Sequence, residues 1–312
     1  MNNVRSLATN FGSDVKGIHS NYWAEAANLD WHVNEYPICA KVLPSGPCGS
    51  IDIEGKKALV NSKSGEVLGV VSDRYQVVQP STMLETFNSA VTDYGFNMDR
   101  LGSYGGGKVI WGRADMHREF NLNGNDPINY YMYFVTSTDG SAATHAFIST
   151  LRVACMNALN VASQASGAHL NVRHSSEYRT GDFDKRLTFL DADIECFEEK
   201  VNALSYTPID NPESFGAAFK KVYGDRPAEV GRSRSAWFNK IEQISTLMHT
   251  SPGAELNRLG SSYWDFLNAV TYDIDHNNST RSDENSHRHS IMRAGAKKKE
   301  QAFNDIYELA IS

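Results

Sequence analysis

No stretch of this 312-residue chain approaches the roughly 18 consecutive apolar residues of a membrane helix, so no membrane span is expected. The opening residues, Met1-Asn2-Asn3-Val4-Arg5, have no hydrophobic core of the kind that directs secretion. Cysteine is scarce: Cys39, Cys48, Cys155 and Cys196 are scattered, and no Cys-x-x-Cys pair exists to hold zinc. Reduced thiols in a cytoplasmic compartment follow, where the sequons at Asn277 and Asn278 carry no meaning. There is no Gly-x-Ser-x-Gly elbow and no internal repeat. A net charge of −7 argues against a general nucleic-acid coat protein, which gains affinity by neutralising phosphates, but leaves room for a local basic groove.

What is present is globular in character, with 41% hydrophobic and 21% charged residues and enough chain for about two domains. Residues 1–35 form a polar N-terminal arm that docks by the aromatics of Asn21-Tyr22-Trp23 and Asp30-Trp31-His32. A Pro/Gly/Cys turn cluster, Pro44 to Gly49, separates it from strands predicted at Lys57–Asn61, Glu66–Ser72 and Tyr75–Val78. A helix follows, with Thr82 and Glu85 as a capping-box pair, Met83, Leu84, Phe87, Ala90, Val91 and Tyr94 inward, and Gly95 as its stop. Three β-runs come next: Lys108–Met116, Asn129–Ser137 and Ala142–Thr150, the last two joined through Thr138-Asp139-Gly140-Ser141, a strong hairpin signal. The segment from Leu151 is predicted to be a helix, with Arg152 near its start, Asn157, Asn160 and Gln164 on one face and Cys155, Leu159 and Ala162 on an apolar one. Beyond residue 180 the period is helical. Leu187, Leu190, Ile194, Phe197, Val201 and Leu204 form one seam, and further helices carry Trp237 to Met248, Tyr263 to Ile274, and Ala296 to Ala310. The fold class is therefore α+β: an antiparallel sheet with packed helices, in the order strands, helix, three strands, helix. A core at 36–180 is followed by a mostly helical region at 181–312.

Several motifs invite chemistry and fail on physical grounds. Gly102-Ser103-Tyr104-Gly105-Gly106-Gly107-Lys108 begins like a phosphate-binding loop, but Val109 stands where a magnesium-holding hydroxyl should. A strand follows where a helix dipole is needed, so a glycine turn entering a strand is expected. Asp273, Asp275, His276, His287 and His289 hold metal-ligand chemistry, but Asp273 and Asp275 point apart by about 200° on one helix. No metal and no cofactor is expected. In Tyr130-Tyr131-Met132-Tyr133-Phe134, alternation puts Tyr131 and Tyr133 on one side and Tyr130, Met132 and Phe134 on the other.

Cations gather in three places: Arg173, His174, Arg179, Lys185 and Arg186; Lys220, Lys221, Arg226, Arg232 and Arg234; and Lys297-Lys298-Lys299. The last run opens a helix, where the macrodipole disfavours positive charge. Such runs are most often solvated surface.

With these residues in view the chain resembles the phage/plasmid-like protein family, a domain of unknown function found in phages, prophages and conjugative plasmids. The resemblance is carried by Tyr104-Gly105-Gly106-Gly107-Lys108-Val109-Ile110-Trp111, by Thr138-Asp139-Gly140-Ser141, by Arg152 to Leu159, and by Tyr263-Trp264 through Asp275-His276. That family implies no catalytic residues. The order of elements is also similar to phage single-strand annealing proteins, which assemble into rings or filaments and hold DNA in a basic groove. The resulting expectation is a non-enzymatic protein of the host bacterial cytoplasm that binds or anneals single-stranded DNA as a homo-oligomer, in support of recombination or replication. Lys108, Arg113, Arg152, Arg173, Arg179 and Lys185 would contact phosphate, Asn157 and Asn160 the backbone, and Tyr131 or Tyr133 the bases. The competing expectation is a host-takeover or anti-defence protein, with the 187–204 seam and the N-terminal aromatics as its surface for a host protein.

Overall fold

A computed structural model of the chain describes residues 11–42, 49–141, 144–154, 157–161, 170–172, 190–256, 261–277 and 282–312. The first elements are the short strand β1 (Ser13–Asp14) and helix α1 (Trp23–Ala26), followed by strands β2 (Val33–Val42), β3 (Gly49–Asn61) and β4 (Val67–Ser72). Helix α2 (Pro80–Tyr94) leads into β5 (Asn97–Tyr104), β6 (Val109–Leu122), β7 (Asp126–Ser137), β8 (Thr144–Arg152), β9 (Asn157–Asn160) and β10 (Leu170–Val172). The remainder is helical: α3 (Leu190–Tyr206), α4 (Pro212–Tyr223), α5 (Arg232–Thr250), α6 (Tyr263–His276), α7 (Asp283–Met292) and α8 (Ala294–Ala310). The α+β class and the helical C-terminal half agree with the sequence. None of the helices, among the described residues, is long and apolar enough to cross a membrane.

Two antiparallel sheets organise the strands. The larger runs β1-β5-β6-β7-β8-β10, with β9 also paired to β8; the smaller is β2-β3-β4. Alternation along β7 is as the sequence predicts. Tyr130, Met132 and Phe134 enter the main core, while Tyr133 packs in a second cluster on the opposite face with Tyr131 at its margin. On the first face Phe87 of α2 lies 4.5 Å from Phe134, ring centre to ring centre, and Phe197 of α3 meets Tyr130 edge-on at 6.2 Å. Gly112 of β6 makes this approach possible, because a Cβ there would sit 2.4 Å from the Phe87 ring. The second face carries Tyr104, Trp111, Tyr133 and Phe147, and α7 closes over it with Ile291 and His287.

Four local expectations need correction. The segment from Leu151 is not a helix: β8 runs to Arg152 and β9 pairs back on it from Asn157. Strand β5 is absent from the sequence reading because the irregularity between Met98 and Arg100 breaks its alternation. Helix α2 begins at Pro80 rather than behind a Thr82 cap. The Gln79 side chain instead binds both backbone groups of Val33, tying α2 to the start of β2. Tyr75–Val78 is irregular, not a strand. The glycine turn behaves as expected. Gly105, Gly106 and Gly107 take φ of 61°, 70° and 101° between β5 and β6, and Gly105 donates its N–H to Glu284 of α7. Gly95 caps α2 in the left-handed region.

Candidate nucleic-acid interface

Among the described residues expected to hold DNA beside the sheet, Arg113, Arg152, Asn157 and Tyr133 are buried, and Lys108, Tyr131 and Asn160 are half-buried. Arg113 is buried on β6 and binds Asp99, the irregular residue of β5, through both Nε and a terminal nitrogen, while its guanidinium lies 4.7 Å over the Tyr131 ring. Arg152 is 4% exposed. Its Nε donates to both Asp126 oxygens at 2.8 Å, and its terminal nitrogen donates to the Gly253 carbonyl at 2.8 Å. Asn157 donates to Asn268 O and Thr271 Oγ1 of α6, and Asn160 donates to Ile291 O of α7. Tyr133 is buried, Tyr131 half-buried, and Lys108 half-exposed at the end of the glycine turn. Arg173, Arg179 and Lys185 lie outside the described residues, as do Cys155, Ala162, Gln164, Leu187 and the turn residues 43–48.

The physical reason is shared by Arg113 and Arg152: each faces a carboxylate on a neighbouring strand. Once such a pair is dehydrated, separating it costs more than a single phosphate contact returns. The 151–160 motif is therefore a joint that binds the helical half to the sheet edge. The surfaces of the competing reading are partly internal, with Tyr22 61% exposed and Leu187 outside the described residues. Trp23, Trp31, Ile194, Phe197, Val201 and Leu204 are all buried in the main core.

Two buried polar clusters support this joint. The Lys299 ammonium donates to Asp275 Oδ1 at 2.7 Å and to Ala158 O at 2.5 Å, and Ser290 Oγ donates to Asp275 Oδ1 at 2.5 Å, linking α6, α7, α8 and β9. The third lysine of the 297–299 run is thus a core residue. In the second cluster the Tyr104 hydroxyl lies 2.5 Å from His287 Nδ1. Burial, with the positive charges of Arg113, Arg100 and Lys299 nearby, pushes the His287 imidazole down to about 3, so it stays neutral. Asp275 and His287 are therefore committed to the fold, and no three metal-binding side chains converge among the described residues.

Further exposed cations lie in the helical half, on elements joined by a run of neighbouring rings, Tyr223, Phe219, Trp237 and Phe238. Lys220 and Lys221 close α4, Arg226 lies in the loop to α5, and Arg232 and Arg234 open α5. Lys297 and Lys298 stand in the first turns of α8, which packs against α4; the Lys298 ammonium is 5.1 Å from the centre of the Tyr223 ring. All of these side chains are exposed except Arg234, which is half-exposed. The loop is pinned where Trp237 Nε1 donates to Gly224 O and stacks edge-on against Phe219. Phe238 is 46% exposed, with Arg234 6.0 Å over its ring. Asp225 pairs with Lys220, and Glu229 is the other acid of the loop. Sequence reading found both cationic groups but had no means of joining segments some seventy residues apart. The signal available was the rule-breaking placement of lysines at a helix N-terminus.

A family model described as a domain of unknown function, DUF932, matches residues 67–294. The chain belongs to this family. No curated protein and no solved structure matches it. The DUF932 segment begins at β4 and contains the whole larger sheet except β1, together with α2 through α7. It includes Lys220 through Arg234 and stops short of Lys297 and Lys298.

Proposed function

We propose that this DUF932 protein is a non-enzymatic binder of single-stranded DNA, and that it holds the strand at the α4–α5–α8 end rather than along the sheet. One observation carries the reading: cations from three separate segments meet around partly exposed aromatic rings, on a chain whose net charge is −7. Residues 220–240 hold six cations (Lys220, Lys221, Arg226, Arg232, Arg234, Lys240) and two acids (Asp225, Glu229), so this end departs from the acidic remainder. Cations that stay hydrated and exposed can exchange counterions for phosphates, which the dehydrated Arg113 and Arg152 pairs cannot. A ring such as Phe238 adds base stacking of about 1–3 kcal/mol without demanding a sequence. The resemblance to phage and plasmid proteins favours a role in recombination or replication, while the element order shared with annealing proteins is lost, because Arg152 ends a strand and starts no helix.

The test is fluorescence anisotropy of labelled oligo-dT with the wild type and with K221E/R226E/R232E/K298E. The variant is expected to lose at least about tenfold in affinity, since four phosphate contacts are removed. The control K41E/K56E, on the β2–β3 ribbon, is expected to bind like the wild type. Wild-type protein that ignores the oligonucleotide at low salt, or a quadruple variant that binds equally well, overturns the assignment.

A further inference from the structure

Helix α8 carries a lysine where its packing face calls for an apolar side chain. Gly295, Ala296, Ala302, Phe303 and Ile306 are buried. At about 100° per residue they span a stripe of about 120° with Lys299 at its centre. Lys299 is 1% exposed. Its ammonium donates to Ala158 O on β9, to Asp275 Oδ1 on α6 at 2.7 Å and to Ser290 Oγ on α7 at 3.1 Å. Asp275 Oδ2 in turn accepts the Ala158 N–H at 3.1 Å. One side chain of α8 thus meets three other elements. On the same helix Lys297 lies about 160° round from Lys299 and Lys298 about 100°. Both are exposed. No side chain caps α8, and its first turn holds no acid. The buried stripe of that turn offers only Gly295 and Ala296, small surfaces that resist sliding weakly.

We infer that Lys299 is a positioning residue: its pair with Asp275 fixes the rotation of α8 about its own axis and so holds Lys297 and Lys298 in water for the proposed strand site. The use of those two cations rests on the DNA reading. A buried ion pair adds little net stability, because dehydrating both ions offsets their attraction. Burial here pulls the Lys299 ammonium below its ordinary range, against the opposing pull of Asp275. An apolar side chain would fill the stripe without that cost. It would also accept any rotation that kept it buried, whereas the ammonium is satisfied only where Asp275, Ala158 O and Ser290 converge. Three consecutive lysines make the choice necessary. A turn of about 100° would carry Lys298 towards Asp275 and Lys299 towards solvent. One polar group in an otherwise apolar seam sets register in coiled coils on the same physical ground.

The test compares the full-length wild type with K299M/D275N, which removes both charges together and leaves an acceptor for the Ala158 N–H. The thermal midpoint of the pair variant is expected to equal or exceed that of the wild type. Adding K297A/K298A should cost the wild type about tenfold in oligo-dT affinity, or about threefold per phosphate contact, and the pair variant less than about twofold. K221A/R226A, on α4 and the loop after it, should cost the same in both backgrounds. Amide hydrogen exchange, which needs no DNA, should quicken at least about tenfold over residues 294–301 in the pair variant while α4 and α5 keep wild-type protection. K299L/D275N, with a different apolar side chain in the seam, is expected to behave alike. Equal costs of K297A/K298A in the two backgrounds overturn the inference. Unchanged exchange does so too, as do neutral pairs that lower the midpoint or fail to fold, since the pair would then be a source of stability. A wild type that ignores oligo-dT sinks the DNA reading instead, and exchange then still decides whether Lys299 holds the helix.

Discussion

Arg152 and Asp126 are each almost wholly dehydrated and pair with one another, and a terminal nitrogen of Arg152 also donates to Gly253 O. Removing one partner leaves an uncompensated buried charge, so R152M should destabilise the fold by about 3–5 kcal/mol. R152M/D126L should recover most of that loss. Urea denaturation checks both, and an R152M protein of wild-type stability with weakened DNA binding would return Arg152 to the interface. His287 yields a second expectation. Its folded pKa, pushed down to about 3 by burial and neighbouring cations, lies below the unfolded value near 6.5. The unfolded chain therefore binds more protons between these limits. The contribution of this residue is complete above pH 6.5 and falls by about 1.4 kcal/mol per pH unit as pH drops towards 3. H287Q should flatten the dependence of unfolding free energy on pH between 6.5 and 4.5; an unchanged slope would show that other groups set the acid sensitivity.

Among the elements, the approach of α2 to β6 depends on Gly112, where any Cβ meets the Phe87 ring. G112A should cost about 1–3 kcal/mol by overpacking, and F87L in the same chain should restore part of it. Equal stabilities of wild type and G112A would mean that α2 sits farther from the sheet. Elements with uninterrupted periodicity were legible beforehand: β7 and α6 follow from spacing, and so does most of α2 despite its earlier start. Strand β6 was legible only as far as the irregularity after Asp115, not through its run to Leu122. Strand β9 was not, because Leu151 to Asn160 has helical spacing of its amides. Those amides instead reach α6 and α7 from a strand, a tertiary demand that overrides local preference. Strand β5 was hidden by a bulge whose extra residue, Asp99, is the one that neutralises Arg113.

For the whole molecule, the sequence indicated the fold class and the existence of cationic groups but not which of them remain in water. Exposure depends on whether a carboxylate from a distant segment arrives beside the cation, as Asp99, Asp126 and Asp275 do for Arg113, Arg152 and Lys299. No local pattern encodes that meeting. The same limit hid the convergence of α4, α5 and α8, and with it the placement of the candidate interface. The most direct test of that placement is the salt dependence of oligo-dT binding between about 50 and about 300 mM NaCl. With four or five phosphates neutralised, the logarithm of the binding constant should fall against the logarithm of salt with a slope of about −3, and K221E/R226E/R232E/K298E should bring that slope close to zero. A wild type whose slope is flat, or a variant whose slope matches it, would contradict the account.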